Sequence, residues 1–325
     1  MKSNYIGIDL GSYCTRIYIK KDNKIIKTKS LIALDTNNNE KILLGEEADN
    51  IKEREPQNLV VKRIIKKGKI EDDELTLLML KEILKKNKIN KKIINPSVLL
   101  SVDDNLSNID KTNLIETIRQ IGTKNIYVLS SIKLIAYGIG MDFSKNTGRM
   151  IIDIGYEKTQ IAVLSLNDIV AYTCIDIGGN NFNDNIIEFL RNNYKLIVGP
   201  KEVENIKKQL KTDNLIISGR NVITDHPEKR EIKKEKILDC LNNTIGALTK
   251  EIKKVLGKIS PELFNDIASM GIIISGGGSM LDQLIEKIED NMKIPILNTI
   301  NPDENIIKGI KYILDNDIRI GNKII

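Results

Sequence analysis

Residues 5–21 read YIGIDLGSYCTRIYIKK, and residues 150–166 read MIIDIGYEKTQIAVLSL. Set so that Asp153 falls on Asp9, the two stretches also match Gly155 to Gly11, Thr159 to Thr15 and Ile161 to Ile17, 144 residues apart in a chain of 325. Each is a short β-branched run, a glycine-bearing turn and a second β-branched run, which predicts a β-hairpin. A hairpin that opens each half predicts two related domains. The length agrees, at roughly 100–200 residues per domain.

Working outward, strand-like runs lie at 24–34 and 41–44, followed by a lysine-rich segment at 62–69. Residues 73–86 (DELTLLMLKEILKK) carry apolar residues at helical spacing, 97–102 (SVLLSV) read as a buried strand, 109–122 as a helix ending at Gly122, and 125–130 as a strand. The polar stretch 142–149 marks the boundary between halves. Beyond it come a strand, a Gly178-Gly179 turn and a helix, then helical stretches at 201–211 and 233–256. Residues 270–290 give a strand, a triple-glycine turn and a helix, and the chain closes on a strand, a turn and a short helix. Strands alternating with helices predict an α/β fold.

Composition closes off several chemistries. His226 is the single histidine, and Cys14, Cys174 and Cys240 are far apart, so neither a Cys/His zinc cluster nor a disulfide framework is indicated. A Ser-His-Asp site would need His226, which sits in the polar stretch TDHPEKRE and reads as a solvated loop residue. Sixty isoleucines, and only nine arginines among 50 basic residues, look like an AT-rich coding bias, so choices between lysine and arginine are not over-read. A net charge of +6 is too mild over this length to point to nucleic acid. No apolar run approaches the roughly 20 residues of a membrane-spanning helix. The first strand begins by Tyr5 with no signal-peptide pattern before it, so a cytosolic protein is expected.

The chemical signal is three glycine turns, each after an apolar strand. Glycine lets backbone N–H groups approach a phosphate closely. Taken singly, SGGGS is an ordinary turn and IDLG an ordinary strand end. In this order they resemble the phosphate-1, phosphate-2 and adenosine motifs of the actin-like (ribonuclease H-like) ATPase fold. Within that superfamily the chain resembles the bacterial rod-shape proteins of the MreB type. The likeness runs through IGIDLG, LGEEA at 44–48, DIG at 153–155, IGGNNFNDNIIEFLRNNYKLIVG at 177–199, SGRNVIT at 218–224, PELFNDIASMGIIISGGGSML at 261–281 and the closing PDENIIKGI.

The resemblance implies two α/β domains facing a nucleotide cleft: 1–146 with an insert at about 32–72, and 147–325 with an insert at about 189–247. It implies ATP or ADP with Mg²⁺, the ion held through waters by Asp9 and Asp153, a sensible use of hard oxygen ligands beside phosphate. Phosphate-facing amides would come from Gly11, Ser12, Tyr13 and Cys14 in the first hairpin and Gly155 in the second, with Gly178 and Gly179 lining the cleft. Glu204 and Lys207 would bracket the nucleoside, and Gly276, Gly277 and Gly278 would close over base and sugar. Without the resemblance, Glu204 and Lys207 read equally well as a solvated i,i+3 pair on a charged helix.

The family pattern fails in places. Its second phosphate loop usually reads Asp-Ile-Gly-Gly-Gly-Thr-Thr-Glu; here residues 153–160 read Asp-Ile-Gly-Tyr-Glu-Lys-Thr-Gln, with Tyr156 and Glu157 replacing two glycines and Gln160 ending the catalytic stretch. The Glu-Glu-Pro that follows a strand in the family, whose second Glu orients the attacking water, is here Ser130-Ser131-Ile132. Ser131 cannot act as a carboxylate. The aspartate after the double glycine is Asn180. These departures predict a divergent member in which nucleotide binding is retained but weakened and hydrolysis is slow or absent.

In MreB-type chains an apolar loop before a proline dips into the bilayer. Here residues 85–96 read KKNKINKKIINP, five lysines followed by Ile93 and Ile94. That combines attraction to anionic lipid with a small apolar anchor; the alternative is a solvated loop leading into a buried strand. The resemblance further implies self-association into double, antiparallel protofilaments on the inner face of the cytoplasmic membrane, a role in cell shape and wall synthesis, and contact with other MreB paralogues and the wall-synthesis machinery, with no direct nucleic-acid partner. Two other readings remain: a non-hydrolysing structural or regulatory subunit that co-assembles with a typical MreB, and a plasmid-segregating actin-like filament.

Overall fold

The first hairpin forms where the sequence places it. β1 (Tyr5–Leu10) and β2 (Cys14–Ile19) pair antiparallel with Asp9 opposite Arg16, and β3 (Lys24–Lys29) adds to β2. The strand-like run 24–34 does not continue as one strand. It breaks at Ser30 and restarts as β4 (Leu31–Asp35), which pairs with β5 (Ile42–Leu44) and β6 (Leu59–Arg63) in a separate three-stranded sheet. A short helix α1 (Glu46–Ile51) packs on that sheet, and β7 (Ile65–Lys66) with β8 (Lys69–Ile70) forms a small ribbon. Helices α2 (Asp73–Lys86) and α3 (Asn108–Arg119) carry side-chain N-caps from Asp72 and Ser107, the residue types that satisfy orphan N–H groups there. They flank β9 (Ser97–Val102), which runs parallel to β1; β10 (Asn125–Ser130) is parallel to β9 and leads into α4 (Ser131–Gly138). The main sheet therefore has the order β10-β9-β1-β2-β3.

Alternation along these strands sorts the core into two layers. Ile6, Ile8, Ile17, Ile19, Val98 and Leu100 pack with Met79, Leu80 and Ile83 of α2 and with Leu114 and Ile118 of α3. On the opposite face Tyr18 and Leu99 pack with Leu134 of α4 and with Ile307, Ile310 and Ile313. Those last residues belong to the C-terminal helix (Asn305–Asp315), which corrects the expected assignment of everything after 147 to the second domain. The chain divides into one unit of Met1–Asp142 with Glu304–Ile325 and another of Phe143–Asp303. The helix returns because the first sheet offers it a face made for close approach: a Cβ on Gly7 would meet Ile310 Cγ2 at 2.0 Å. Tyr18 also donates its hydroxyl to Asp315 Oδ1 at 2.6 Å.

The second unit repeats the plan. β11 (Arg149–Ile154), β12 (Thr159–Ser165) and β13 (Asp168–Ile175) form the antiparallel part of a sheet. After α5 (Gly179–Tyr194) come β14 (Leu196–Ile197), α6 (Pro200–Gln209), and the hairpin β15 (Asn214–Asn221) and β16 (Pro227–Lys233), which form a three-stranded sheet of their own. The predicted helix 233–256 is two, α7 (Lys234–Cys240) and α8 (Asn242–Leu256). Then α9 (Pro261–Met270) leads to β17 (Ile272–Ser275), a 3-10 turn at Gly277–Met280, α10 (Leu284–Met292) and β18 (Ile296–Asn298). The sheet order β13-β12-β11-β17-β18 is that of the first unit element for element, with β17 and β18 parallel to β11. The 144-residue sequence repeat is thus a structural one.

This is a computed structural model, and it describes residues 4–36, 42–52, 54, 56–89, 95–281, 283–320 and 323–324. Ile93 and Ile94 lie outside the described residues. Among those described, no helix is long and apolar enough to cross a membrane.

Candidate functional site

The two hairpin tips are built alike. Gly11 N–H donates to the Cys14 carbonyl at 3.2 Å, and Gly155 N–H to the Lys158 carbonyl at 2.9 Å. Each leaves a two-residue tip, Ser12-Tyr13 in one and Tyr156-Glu157 in the other. Glycine is needed at the first position because the turn closes tightly: a Cβ would lie 2.8 Å from the Cys14 oxygen or 3.0 Å from that of Lys158. Neither Tyr156 nor Glu157 has a positive φ, so the two side chains that replace family glycines sit there without backbone strain.

In the first tip three successive carbonyls are tied down. Ser30 Oγ donates to Gly11 O at 2.6 Å, Ser30 N–H donates to Tyr13 O at 2.9 Å, and Arg63 Nη1 donates to Ser12 O. The break at Ser30 that splits the predicted strand therefore has a purpose here: both its hydroxyl and its amide hold the loop. Tyr13 remains partly exposed, with the Lys29 ammonium 5.8 Å from its ring centroid, and Cys14 is buried, which pushes its thiol up.

Asp9, next to last in β1, lies beside this tip and is 5% exposed. Its Oδ1 accepts from Ser101 Oγ at 3.1 Å, and its Oδ2 lies 3.5 Å from Arg16 Nη1. Burial raises the Asp9 carboxyl above the ordinary aspartate range, against the pull of Arg16 and Ser101, and Asp103 adds to the rise. Ser131 is fully buried at the start of α4 and donates to Asp103 Oδ1 at 3.0 Å; Ser130 donates to Asp104 Oδ2 at 2.6 Å. Where the family pattern has carboxylates at 130 and 131, this chain has hydroxyls that hold carboxylates offered from the end of β9.

The second unit gathers its predicted residues tightly. The amides of Gly179 and Asn180, opening α5, donate to the carbonyls of Gly155 and Tyr156 at 2.9 and 2.7 Å, and Gly178 N–H donates to Asn181 Oδ1 at 2.9 Å. The N-terminus of α5 is thus docked on the hairpin. A Cβ on Gly178 would lie 2.6 Å from the Tyr156 oxygen, which fixes glycine there. The triple-glycine turn packs on the same place: Gly276 has φ +86°, and a Cβ on Gly278 would lie 2.5 Å from Ile154 Cγ2. Asp153 is 8% exposed at the end of β11, and Gln160, opposite it, accepts from the Tyr172 hydroxyl at 2.9 Å. On α6, Lys207 Nζ meets Glu204 Oε1 at 2.8 Å, and Asn183 Nδ2 donates to the same oxygen at 2.9 Å. Asn183 is buried and its Oδ1 accepts no hydrogen bond. The pair is therefore a part-buried network rather than a solvated surface bridge.

Sequence reasoning missed Arg16, Ser30, Ser101, Asp103, Tyr172 and Asn183. For Arg16 a signal existed, since the 144-residue offset sets it on Gln160 and the hairpin sets both opposite an aspartate. The others depend on pairing between distant strands. As to a metal, both aspartates are hard donors suited to a hydrated divalent ion. Among the described residues no three His, Cys, Asp or Glu side chains are grouped to ligate one directly. A hydrated ion at Asp9 would have to share that carboxylate with Ser101 and Arg16.

The family model described as MreB/Mbl protein matches residues 3–321. The chain is 31% identical over 318 residues to the cell shape-determining protein Mbl of Bacillus subtilis (strain 168), covering 96% of each. Among solved structures it is similar to MreB5 of Spiroplasma citri bound to ADP, with TM-score 0.91, 25% identity and coverage of 97% of this chain and 98% of that one. It also shares a fold with the MamK double helical filament, at TM-score 0.80, 17% identity and coverage of 97% and 99%. With its duplicated five-stranded sheets and a family match across nearly its whole length, the chain belongs to the MreB/Mbl family of actin-like proteins.

Proposed function

We propose that this chain is a nucleotide-binding, filament-forming subunit that works in cell-shape determination. The observation that carries the reading is the convergence, within the second unit, of the Gly155 hairpin, the start of α5 and the Gly276–Gly278 turn around Asp153. ATP or ADP would take phosphate contacts from backbone amides of the second hairpin, and the resemblance gives the Ser12–Cys14 amides of the first hairpin the same role. Asn183, Glu204 and Lys207 would bracket the nucleoside. Relatives point the same way: MreB5 of Spiroplasma citri is described bound to ADP and to AMPPNP, and MamK as a double helical filament.

Hydrolysis is slow or absent in this reading, because Ser131 supplies no carboxylate and Glu157 puts a negative charge where a γ-phosphate would approach. Like charges at 4 Å repel by about 4 kcal/mol at an effective dielectric of 20. The same residues favour a second reading, a structural subunit that co-assembles with a more typical paralogue.

Membrane association on the inner leaflet rests on the lysine cluster before Pro96. Lys85 and Lys86 pair with Glu82 and Glu47 at 3.1 and 3.2 Å, and more than half of each lysine side chain stays exposed. Exposed pairs of this kind are weak, so these lysines remain available to lipid. Single subunits would bind weakly and filaments would multiply the contact.

The test is calorimetric titration of purified protein with ADP and ATP, together with pelleting on neutral and anionic vesicles. Binding of both nucleotides and sedimentation with anionic vesicles are expected. No heat and no thermal shift with either nucleotide would end the reading.

A further inference from the structure

The duplication allows an internal comparison of the two hairpin tips. In the second unit the carbonyls of Gly155 and Tyr156 are held by backbone, since the amides of Gly179 and Asn180 donate to them at 2.9 and 2.7 Å. In the first unit the equivalent carbonyls, those of Gly11 and Ser12, are held by side chains. Ser30 Oγ donates to Gly11 O at 2.6 Å, and Arg63 Nη1 donates to Ser12 O. Ser30 is fully buried, and its Oγ lies 3.0 Å from Thr15 Oγ1. Thr15 is the donor in that pair, because the Ser30 proton is already given to Gly11. Arg63 reaches the loop from the end of β6, where it pairs with Leu31, the residue after Ser30.

A trans peptide carries its carbonyl and the N–H of the next residue in opposite directions. Ser30 N–H also holds the Tyr13 carbonyl, at 2.9 Å. Fixing the carbonyls of Gly11, Ser12 and Tyr13 therefore fixes the direction of the Ser12, Tyr13 and Cys14 amides. Successive amides aimed in this way form an anion-binding concavity. A hydrogen bond on a carbonyl also polarises the amide at the other end of the same peptide, and a cationic donor does so most strongly. We propose that Arg63 is a positioning residue for phosphate: through the Ser12 carbonyl it aims and strengthens the Tyr13 N–H, doing in the first unit what the Asn180 amide does in the second. The inference rests on the nucleotide-binding reading above and on phosphate contact at the first hairpin. Because Arg63 stands on the sheet of β4, β5 and β6, the grip on phosphate depends on how that sheet sits against the hairpin. The contribution of Arg63 is confined to ligands that carry phosphate.

The experiment measures ADP affinity by titration calorimetry, and adenosine affinity by competition with ADP, for the intact chain, Arg63→Met and Arg63→Lys. Methionine keeps the length of the side chain and removes the donor, whereas lysine keeps a cationic donor. Arg63→Met is expected to weaken ADP about tenfold while adenosine changes less than about threefold, and Arg63→Lys to recover ADP affinity to within about threefold of the intact chain. ADP affinity within about threefold of the intact chain in Arg63→Met overturns the inference. So does an equal fall for ADP and adenosine, which marks a merely structural role. Nucleotide binding stands in both of those cases. Absence of ADP binding by the intact chain removes the nucleotide reading and this inference together.

Discussion

Gly276 stands so close to Asp153 that a Cβ atom on it would lie 2.7 Å from Asp153 Oδ1 and 2.3 Å from the Ile154 carbonyl oxygen. Its φ of +86° is also one that side chains rarely adopt. Gly276→Ala should therefore destabilise the second unit by about 2 kcal/mol or more, from overpacking and backbone strain together, and weaken ADP binding. At Gly277 the nearest atom to a Cβ is Asp303 Cβ at 3.7 Å, an ordinary contact. Gly277→Ala should leave stability within about 0.5 kcal/mol, so any loss of ADP binding there reports on the ligand. Urea denaturation and titration calorimetry of the two variants make the comparison.

Gly309 plays the matching part in the first unit. In the C-terminal helix a Cβ at this position would lie 1.8 Å from the Leu134 carbonyl oxygen of α4. Ala is normally better than Gly in a helix by about 1 kcal/mol, yet Gly309→Ala is expected to cost about 2–3 kcal/mol of stability because two backbones must separate. Gly246, inside α8, has nothing within 4 Å of its Cβ position. Gly246→Ala should stabilise by about 0.5–1 kcal/mol. Opposite signs for the two changes in denaturant midpoints confirm the packing; equal signs contradict it.

Asp104 gives a pH signature. Burial and the neighbouring Asp103 raise its carboxyl above the ordinary range, and the Ser130 hydroxyl offsets part of the rise. A carboxyl that binds its proton more tightly when folded contributes stability that is full below the unfolded pKa and is lost as pH rises through the folded one. Asp104→Asn keeps an acceptor for Ser130 and removes the charge. It should raise the melting temperature by roughly 1–3 °C near pH 7, and the gain should vanish below about pH 4. A gain that is the same at both pH values would show that charge is not its source.

Ser131 donates to Asp103 and offers no carboxylate to a water. Ser131→Ala should leave the rate of phosphate release from ATP within about twofold, whereas a water-positioning side chain contributes roughly 10²–10⁴. A hundredfold fall would assign Ser131 a direct part in hydrolysis.

What the sequence made legible was what is local. The two hairpins could be read because β-branched alternation and a closing glycine are short-range signals, and the 144-residue offset tied them together. The triple-glycine turn could be read as a turn, but not that Gly276 must clear Asp153. The split at Ser30 was invisible because its cause, the loop carbonyls that Ser30 holds, lies across the hairpin. The return of the C-terminal helix to the first unit depends on Gly7, Gly138 and Gly309, three small residues from distant segments that meet only in the fold. The hairpin of β15 and β16 was missed because it is polar on alternate positions and carries lysine and arginine, which mask a strand pattern.

The most direct test of a nucleotide-binding filament subunit is electron microscopy of the purified chain on anionic vesicles with ATP, with ADP and without nucleotide. Paired filaments that form with nucleotide and are sparse without it are predicted. Dispersed single particles in all three conditions, or filaments indifferent to nucleotide, would contradict it.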